Sequence, residues 1–350
     1  MRVKDSVVVV TGASSGIGRA TALAFAKRGS AVVVAARRQQ ALDEVARQCE
    51  SAGGRALAVA TDVSEFKAVD ELARRAVERF GRIDVWVNDA AVTLFSPFLE
   101  APLEDFRRVL EVNVMGYVHG AKAALPYMKD QGKGVIVNVS SVVGVVPQPY
   151  THAYSMTKAA VKVLSESLRQ ELMLEGSRSR NIKVASVLPA TIDTPFFNHA
   201  ANYTGREVKA MPPVYTPERV ARAIVNLVRV PRREVVVGPM GRNLVLQAKL
   251  TPGLAGRAMA IQVDKAHLSR TKPAPATEGN LYVPAPGAGS LHGEWNGRRR
   301  TALRRGLSAA AAVGGTVAAV RRRRQTALRR GLPATAAVGG TVAALRRRRR

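Results

Sequence analysis

The run Val7-Val8-Val9-Val10 stops at Thr11-Gly12-Ala13-Ser14-Ser15-Gly16-Ile17-Gly18, and a helical pattern from Ala20 to Arg28 follows at once. Four consecutive β-branched residues read as a strand buried on both faces, the habit of a parallel sheet, and parallel strands need a crossover to reach their neighbours. Glycines between strand and helix let the backbone turn tightly and approach a phosphate, while the first N–H groups of the helix and its positive dipole end face that anion. The alternation then repeats. Strands are expected near 6–10, 31–35, 56–60, 83–87, 134–139, 182–188 and 233–237, and helices near 16–29, 39–53, 65–80, 103–130, 152–176 and 216–230. This pattern predicts an α/β protein with a doubly wound, seven-stranded parallel sheet and helices on both faces.

A second pattern carries chemistry. Tyr154 and Lys158 stand four apart in a helical stretch and so share one face. A phenol with its ordinary pKa of ~10 is a poor acid or base at neutral pH, and a neighbouring ammonium lowers that value, so Tyr154 is a candidate general acid/base. Ser140-Ser141 end the apolar run Val135–Val139, at the strand end where open α/β sheets bind ligands.

The joint order of Thr-Gly-x3-Gly-x-Gly, Asn113, Ser141 and Tyr154-x3-Lys158 resembles the short-chain dehydrogenase/reductase family, in its single-domain subtype, over residues 5 to about 240. The resemblance implies a Rossmann-type fold, a homo-oligomer (dimer or tetramer), and hydride transfer between a nicotinamide and a carbonyl or secondary alcohol carbon. It also implies the roles. Tyr154 delivers the proton to the carbonyl oxygen, Ser141 holds that oxygen, Lys158 lowers the tyrosine pKa and contacts the ribose, and Asn113 holds a relay water and breaks its helix locally. Cofactor contacts fall on Thr11, Gly12, Ser14, Ser15, Gly16, Ile17 and Gly18, on Asp62 and Val63 at the adenine, and on Asn88 and Ala90. Pro189, Ile192 and Thr194 follow at the nicotinamide, with Tyr154 and Lys158. The chain departs from the family pattern at Asp89 and Ala91, where Asn-Asn-Ala-Gly is usual, and at Ala190, where glycine is usual.

The second strand ends at Ala35-Ala36, without the carboxylate that accepts from a ribose 2′-hydroxyl, and Arg37-Arg38 follow. Guanidinium groups suit a 2′-phosphate, so NADP(H) is expected over NAD(H), with Arg37 the better candidate and Arg38 beside it. Residues 195–215, with Phe196, Phe197, Tyr203, Pro212 and Pro213, read as a substrate lid, and the aromatics favour an apolar or bulky substrate. His152 fits either a pocket position or a helix start. The five histidines show no metal-ligand spacing, so no metal is expected.

The single cysteine, Cys49, excludes an internal disulfide, reads as a small buried helix residue and suits a reducing compartment. No secretory leader and no apolar run of the ~20 residues needed to span a bilayer are seen, so a cytoplasmic protein is expected. Net charge is +28, with sixteen arginines and no acid over 297–350. The expected organisation is a catalytic domain over 1–240, a helical extension over 241–270, a flexible Pro/Gly-rich linker over 271–297 and an arginine-rich low-complexity tail over 298–350. The tail repeats Thr301–Leu307 at Thr326–Leu332. Its fourteen-residue apolar segments would span only about 21 Å as helices, so three readings stay open: an anionic membrane surface, nucleic-acid phosphates, or a solvated tail.

Two rivals remain. A non-catalytic NADP-binding regulator working through its tail has no physical reason to keep Ser141, Tyr154 and Lys158 together. A sugar-nucleotide epimerase usually carries Gly-x-x-Gly-x-x-Gly and a larger substrate domain, and neither is present.

Overall fold

A computed structural model describes residues 1–287 and 289–295. The chain lays down β1 (Val7–Thr11), α1 (Gly16–Ala26), β2 (Ala31–Ala36), α2 (Gln39–Ser51), β3 (Arg55–Ala60), α3 (Phe66–Phe80) and β4 (Val85–Asn88). After β5 (Leu94–Phe95) and α4 (Leu103–Leu110), a π-helical turn at Glu111–Met115 leads into α5 (Gly116–Asp130). Then come β6 (Gly134–Val139), α6 (His152–Leu174), β7 (Ile182–Pro189), β8 (Ala201–Asn202), β9 (Arg206–Val208), α7 (Pro217–Arg229) and β10 (Glu234–Val237).

Seven strands form one parallel sheet in the order β10-β7-β6-β4-β1-β2-β3, as the β-branched runs predicted. Successive residues of each strand face opposite sides. Val8, Val10, Val32 and Val34 pack under Leu42 of α2 and Ile224 of α7, whereas Val9, Val33, Trp86 and Ile136 pack under Leu72 of α3 and Ala124 of α5. Both layers are closed, which explains strands without a polar face. The order reverses between β1 and β4, and a crevice opens beyond the carboxyl ends of the strands there.

The π-turn divides the helix expected over 103–130, and Asn113 sits in it, where a local break was expected. The extension expected over 241–270 consists of α8 (Pro239–Leu250), α9 (Pro252–Gln262) and a π-helical turn at Val263–His267. The linker reading is corrected. β11 (Leu268–Pro273) pairs antiparallel with β9, Thr277 and Asn202 exchange two backbone hydrogen bonds of 2.8 and 3.1 Å, and Leu281 is fully buried. One compact unit runs from Met1 to Asn296, and the arginine repeat lies outside the described residues. Cys49 is buried on α2. Among the described residues, no helix is long and apolar enough to cross a membrane, and no group of His, Cys, Asp or Glu could hold a metal ion.

Candidate active site

The glycine turn is shaped by close backbone approaches. Gly12 has φ +70, and a Cβ there would meet the Ala90 backbone at 2.8 Å; one on Gly18 would meet the Gly12 carbonyl oxygen at 2.3 Å. Any side chain would therefore push α1 off the turn. Thr11 Oγ1 accepts from the N–H groups of Asp89 and Ala90 at 3.2 and 3.3 Å, tying the ends of β1 and β4 together.

A single cavity of about 360 Å³ runs from this turn to the first turns of α6. Gly12, Ser14, Ser15, Gly16 and Ile17 line it beside Arg37, Arg38, Asp62 and Val63 at one end. Ala90, Ser141, Tyr154, Lys158, Pro189, Ile192 and Thr194 line the other. The apolar mouth beyond Tyr154 comes from Phe196 and Phe197, from Met240 and Leu244 of α8, and from Met259 of α9. The helical extension is thus a wall of the cavity. The Phe196 ring lies 5.3 Å from that of Tyr154.

Four expected site residues lie behind the lining and frame it. Thr11 and Gly18 do so as described. Asn88 accepts from Trp86 Nε1 at 2.8 Å and donates to Asn138 Oδ1 at 2.9 Å. Asn113 donates from Nδ2 to the Val92 carbonyl at 2.9 Å and to Thr157 Oγ1 at 3.2 Å, and its Oδ1 accepts from the Val92 N–H at 2.8 Å. Its side chain clamps the segment after β4 to α6 and is fully buried. Tyr203, expected in the lid, instead donates to Asp105 Oδ2 at 2.6 Å. His152 packs edge-on against Phe98 at 5.2 Å, outside the lining.

Lys158 Nζ donates to the Val139 carbonyl at 2.9 Å and to Tyr117 Oη at 3.1 Å, and lies 5.5 Å from the Tyr154 ring centre. Ser140 Oγ holds the Lys158 carbonyl at 2.6 Å. The Val143 N–H donates to Ser141 Oγ at 3.3 Å, which fixes that hydroxyl at the cavity wall. The expected lowering of the Tyr154 pKa is not what the pocket produces. Burial pushes the phenol up, the Ser141 hydroxyl opposes, and Asp89 adds to the rise. Burial is the largest of these effects. Burial also brings Lys158 down to about 8, opposed by the Asp89 carboxylate, and pushes Asp89 up to about 7, opposed by Lys158.

The two arginines after β2 are engaged differently. Arg37 donates to the carbonyls of Asn280 at 2.7 Å, Tyr282 at 2.8 Å and Leu281 at 3.3 Å. A guanidinium so engaged is a poor candidate for a phosphate. Arg38 Nη1 is buried and has no hydrogen-bond partner among the described residues. Burial pushes Asp62 up, but donors from Ser64 and the Arg108 guanidinium outweigh it and hold the carboxyl below its ordinary range. The partners of Arg37 sit in 278–295, a segment read as a spacer; its apolar Leu281, Tyr282 and Trp295 were the available signal against that reading.

A glycine turn at the sheet's switch point, with a cavity running on to a Ser–Tyr–Lys cluster, defines a Rossmann-type nucleotide-binding oxidoreductase. A short chain dehydrogenase family model matches residues 6–203. The chain belongs to the short-chain dehydrogenase/reductase family, whose members are NAD(P)-dependent enzymes acting on CH–OH or C=O groups. It is 34% identical to the uncharacterized oxidoreductase YxnA of Bacillus subtilis (strain 168), over 91% of this chain and 90% of that protein. That alignment includes residues 278–295. An uncharacterized oxidoreductase of Listeria innocua is 33% identical over 68% of this chain and 98% of its own length. Among solved structures, a Burkholderia phymatum short chain dehydrogenase/reductase in complex with NAD has a TM-score of 0.66 at 27% identity, covering 73% of this chain and 96% of that one. An alcohol dehydrogenase from Thermococcus sibiricus complexed with 5-hydroxy-NADP has a TM-score of 0.58 at 28% identity, covering 67% and 96%.

Proposed function

We propose that this enzyme is an NADP(H)-dependent oxidoreductase of apolar or bulky carbonyl and secondary alcohol compounds, with Tyr154 as its general acid/base. One observation carries the reading: Ser141 and Tyr154 share a cavity that continues to a glycine cradle and to Arg38, whose Nη1 is buried with no hydrogen-bond partner among the described residues. A buried donor without a partner costs about 1–3 kcal/mol, which a 2′-phosphate would recover. No carboxylate stands at the end of β2 to repel that phosphate, and related structures were determined with NAD and with an NADP derivative. Gly12 and Gly18 leave the cradle no room for side chains.

When bound, the nicotinamide supplies or accepts the hydride. The protein's own part is orientation and proton transfer. Ser141 Oγ, fixed by Val143, offers a hydrogen bond to the substrate oxygen. Tyr154, kept protonated by burial, gives its proton to that oxygen on reduction. Lys158, anchored through Val139 and Tyr117, leaves a positive charge beside the phenol to stabilise the tyrosinate that results. Asn113 holds the backbone around Val92 and α6 in register. The Phe196, Phe197, Met240 and Met259 wall favours an apolar substrate body over a charged one. The test is a panel of ketones, aldehydes and secondary alcohols followed by NADPH absorbance, with Tyr154→Phe as the blank. Turnover retained in that variant would overturn the mechanism.

A further inference from the structure

Residues 278–287 and 289–295 meet the residues around the cavity at three stations. At the adenine end, Asn280, Leu281 and Tyr282 turn their carbonyls to Arg37, and Leu281 also accepts from Arg108 Nε at 3.1 Å. Over the glycine turn, Gly289 accepts from Arg19 Nη1 at 2.9 Å and Ser290 accepts from the Gly16 N–H at 3.0 Å. At the catalytic end, Asp193 Oδ1 accepts from the N–H groups of Gly293 at 3.2 Å and Trp295 at 2.8 Å, and Trp295 Nε1 donates to the Thr194 carbonyl at 3.2 Å. Arg37, the glycine turn and Thr194 follow one another along the dinucleotide's path, so the segment runs the length of that path.

Three of its four glycines, Gly279, Gly289 and Gly293, are seats; Gly287 stands in open space. A Cβ on Gly279 would lie 2.4 Å from the His199 carbonyl oxygen, one on Gly289 2.5 Å from that of Ser14, and one on Gly293 2.1 Å from that of Thr194. No side chain fits between these backbones. Asn280, Pro284 and Ala285 stand on the cavity wall, and the Ser290 carbonyl takes the Gly16 N–H at the glycine turn, so the segment lines the space rather than standing apart from it.

We infer that residues 278–287 and 289–295 are a further wall of the dinucleotide site, clasped by Arg37 and Asp193, and that the cofactor exchanges only when this strap lets go. The inference rests on the cofactor reading above. Arg37 is a positioning residue here: it holds the strap, and Arg38 is left to meet the phosphate. A roof tied by charge-assisted bonds at Arg37 and Asp193 opens rarely. Release of nucleotide, rather than its chemistry, is therefore the step the strap controls.

The experiment measures NADPH and NADH release from the full-length protein by the loss of bound-nucleotide fluorescence after an excess of the oxidised form. Arg37→Met removes the clasp, and Gly293→Val forces the strap off Thr194 without altering a cavity-lining residue. Circular dichroism of each variant checks the fold. The expected result is release at least about ten-fold faster in both variants, about 1.4 kcal/mol off the opening barrier. Association speeds up as well, because the same roof bars the way in. Unchanged release rates in two folded variants would overturn the inference. Tighter nucleotide binding by the variants would also overturn it, by showing that the strap competes for the site. If no form binds either nucleotide, the cofactor reading itself has failed, an outcome distinct from both.

Discussion

Asp89→Asn removes one negative charge from the cavity and keeps the side chain's shape. Burial has pushed the carboxyl from its ordinary 3.8 up to about 7. The folded protein therefore holds a proton that the unfolded chain gives up, and the wild type loses stability as pH rises between those two values. Each proton difference is worth about 1.4 kcal/mol per pH unit, so the loss amounts to at most about 4 kcal/mol; the carboxyl borders the cavity, and solvent screening reduces it. Asparagine has no proton to lose. Lys158 reinforces the sign. Without Asp89 it falls further below about 8, and a native lysine that deprotonates early stabilises the fold relative to the unfolded chain as pH rises. The variant should match the wild type at about pH 4 and below and gain on it as pH rises towards about 7, by at most about 1 kcal/mol per pH unit. Chemical denaturation of both proteins across that range measures the difference. Stability curves that stay parallel would refute the reasoning, because they would mean that Asp89 is ionised in the folded protein at all these pH values. The same substitution should shift the pH profile of alcohol oxidation to lower pH, since the Asp89 carboxylate adds to the rise of Tyr154.

Tyr154→Phe deletes the proton donor and no phosphate contact, so turnover should fall by about two to three decades while NADPH affinity, read by fluorescence, stays nearly constant. Arg38→Asp should move the ratio of kcat/KM for NADPH over NADH by about one to two decades towards NADH, as the loss of a hydrogen bond to a charged group predicts. Arg37→Asp should instead show its main effect in nucleotide release; a full switch of cofactor preference at Arg37 would restore it as the phosphate ligand. Ending the chain after Asn296 should leave NADPH-induced thermal stabilisation intact. Ending it after Arg270 should abolish that stabilisation, because Leu281, the three carbonyls that Arg37 holds and the Gly293 and Trp295 N–H groups at Asp193 go with it.

The sheet was legible because its central strands, buried on both faces, are β-branched runs, and few folds place such runs between helices at this regular spacing. Tyr154 and Lys158 were legible because i, i+4 spacing survives any tertiary context, and the glycines because no other residue tolerates the approach that Gly12 and Gly18 make. The partners of Arg37 were hidden for a physical reason. A guanidinium at the end of β2 has one sequence signature whether its partner is a phosphate or three carbonyls, and those carbonyls arrive some 245 residues later. The strap was hidden in the same way. Proline and glycine keep a solvated spacer open, and glycine also lets one backbone lie directly on another, so composition cannot separate the two uses. Apolar side chains can. A solvated spacer gains nothing from Leu281 or Trp295, whereas a roof needs them to grip, and Leu281 is fully buried while Trp295 is held at Thr194. The departure at Asp89 could be read from the chain, but its consequence could not. Whether a carboxylate beside a lysine is charged depends on how deeply both are buried, and here burial raises Asp89 and lowers Lys158 while each charge opposes the other's shift.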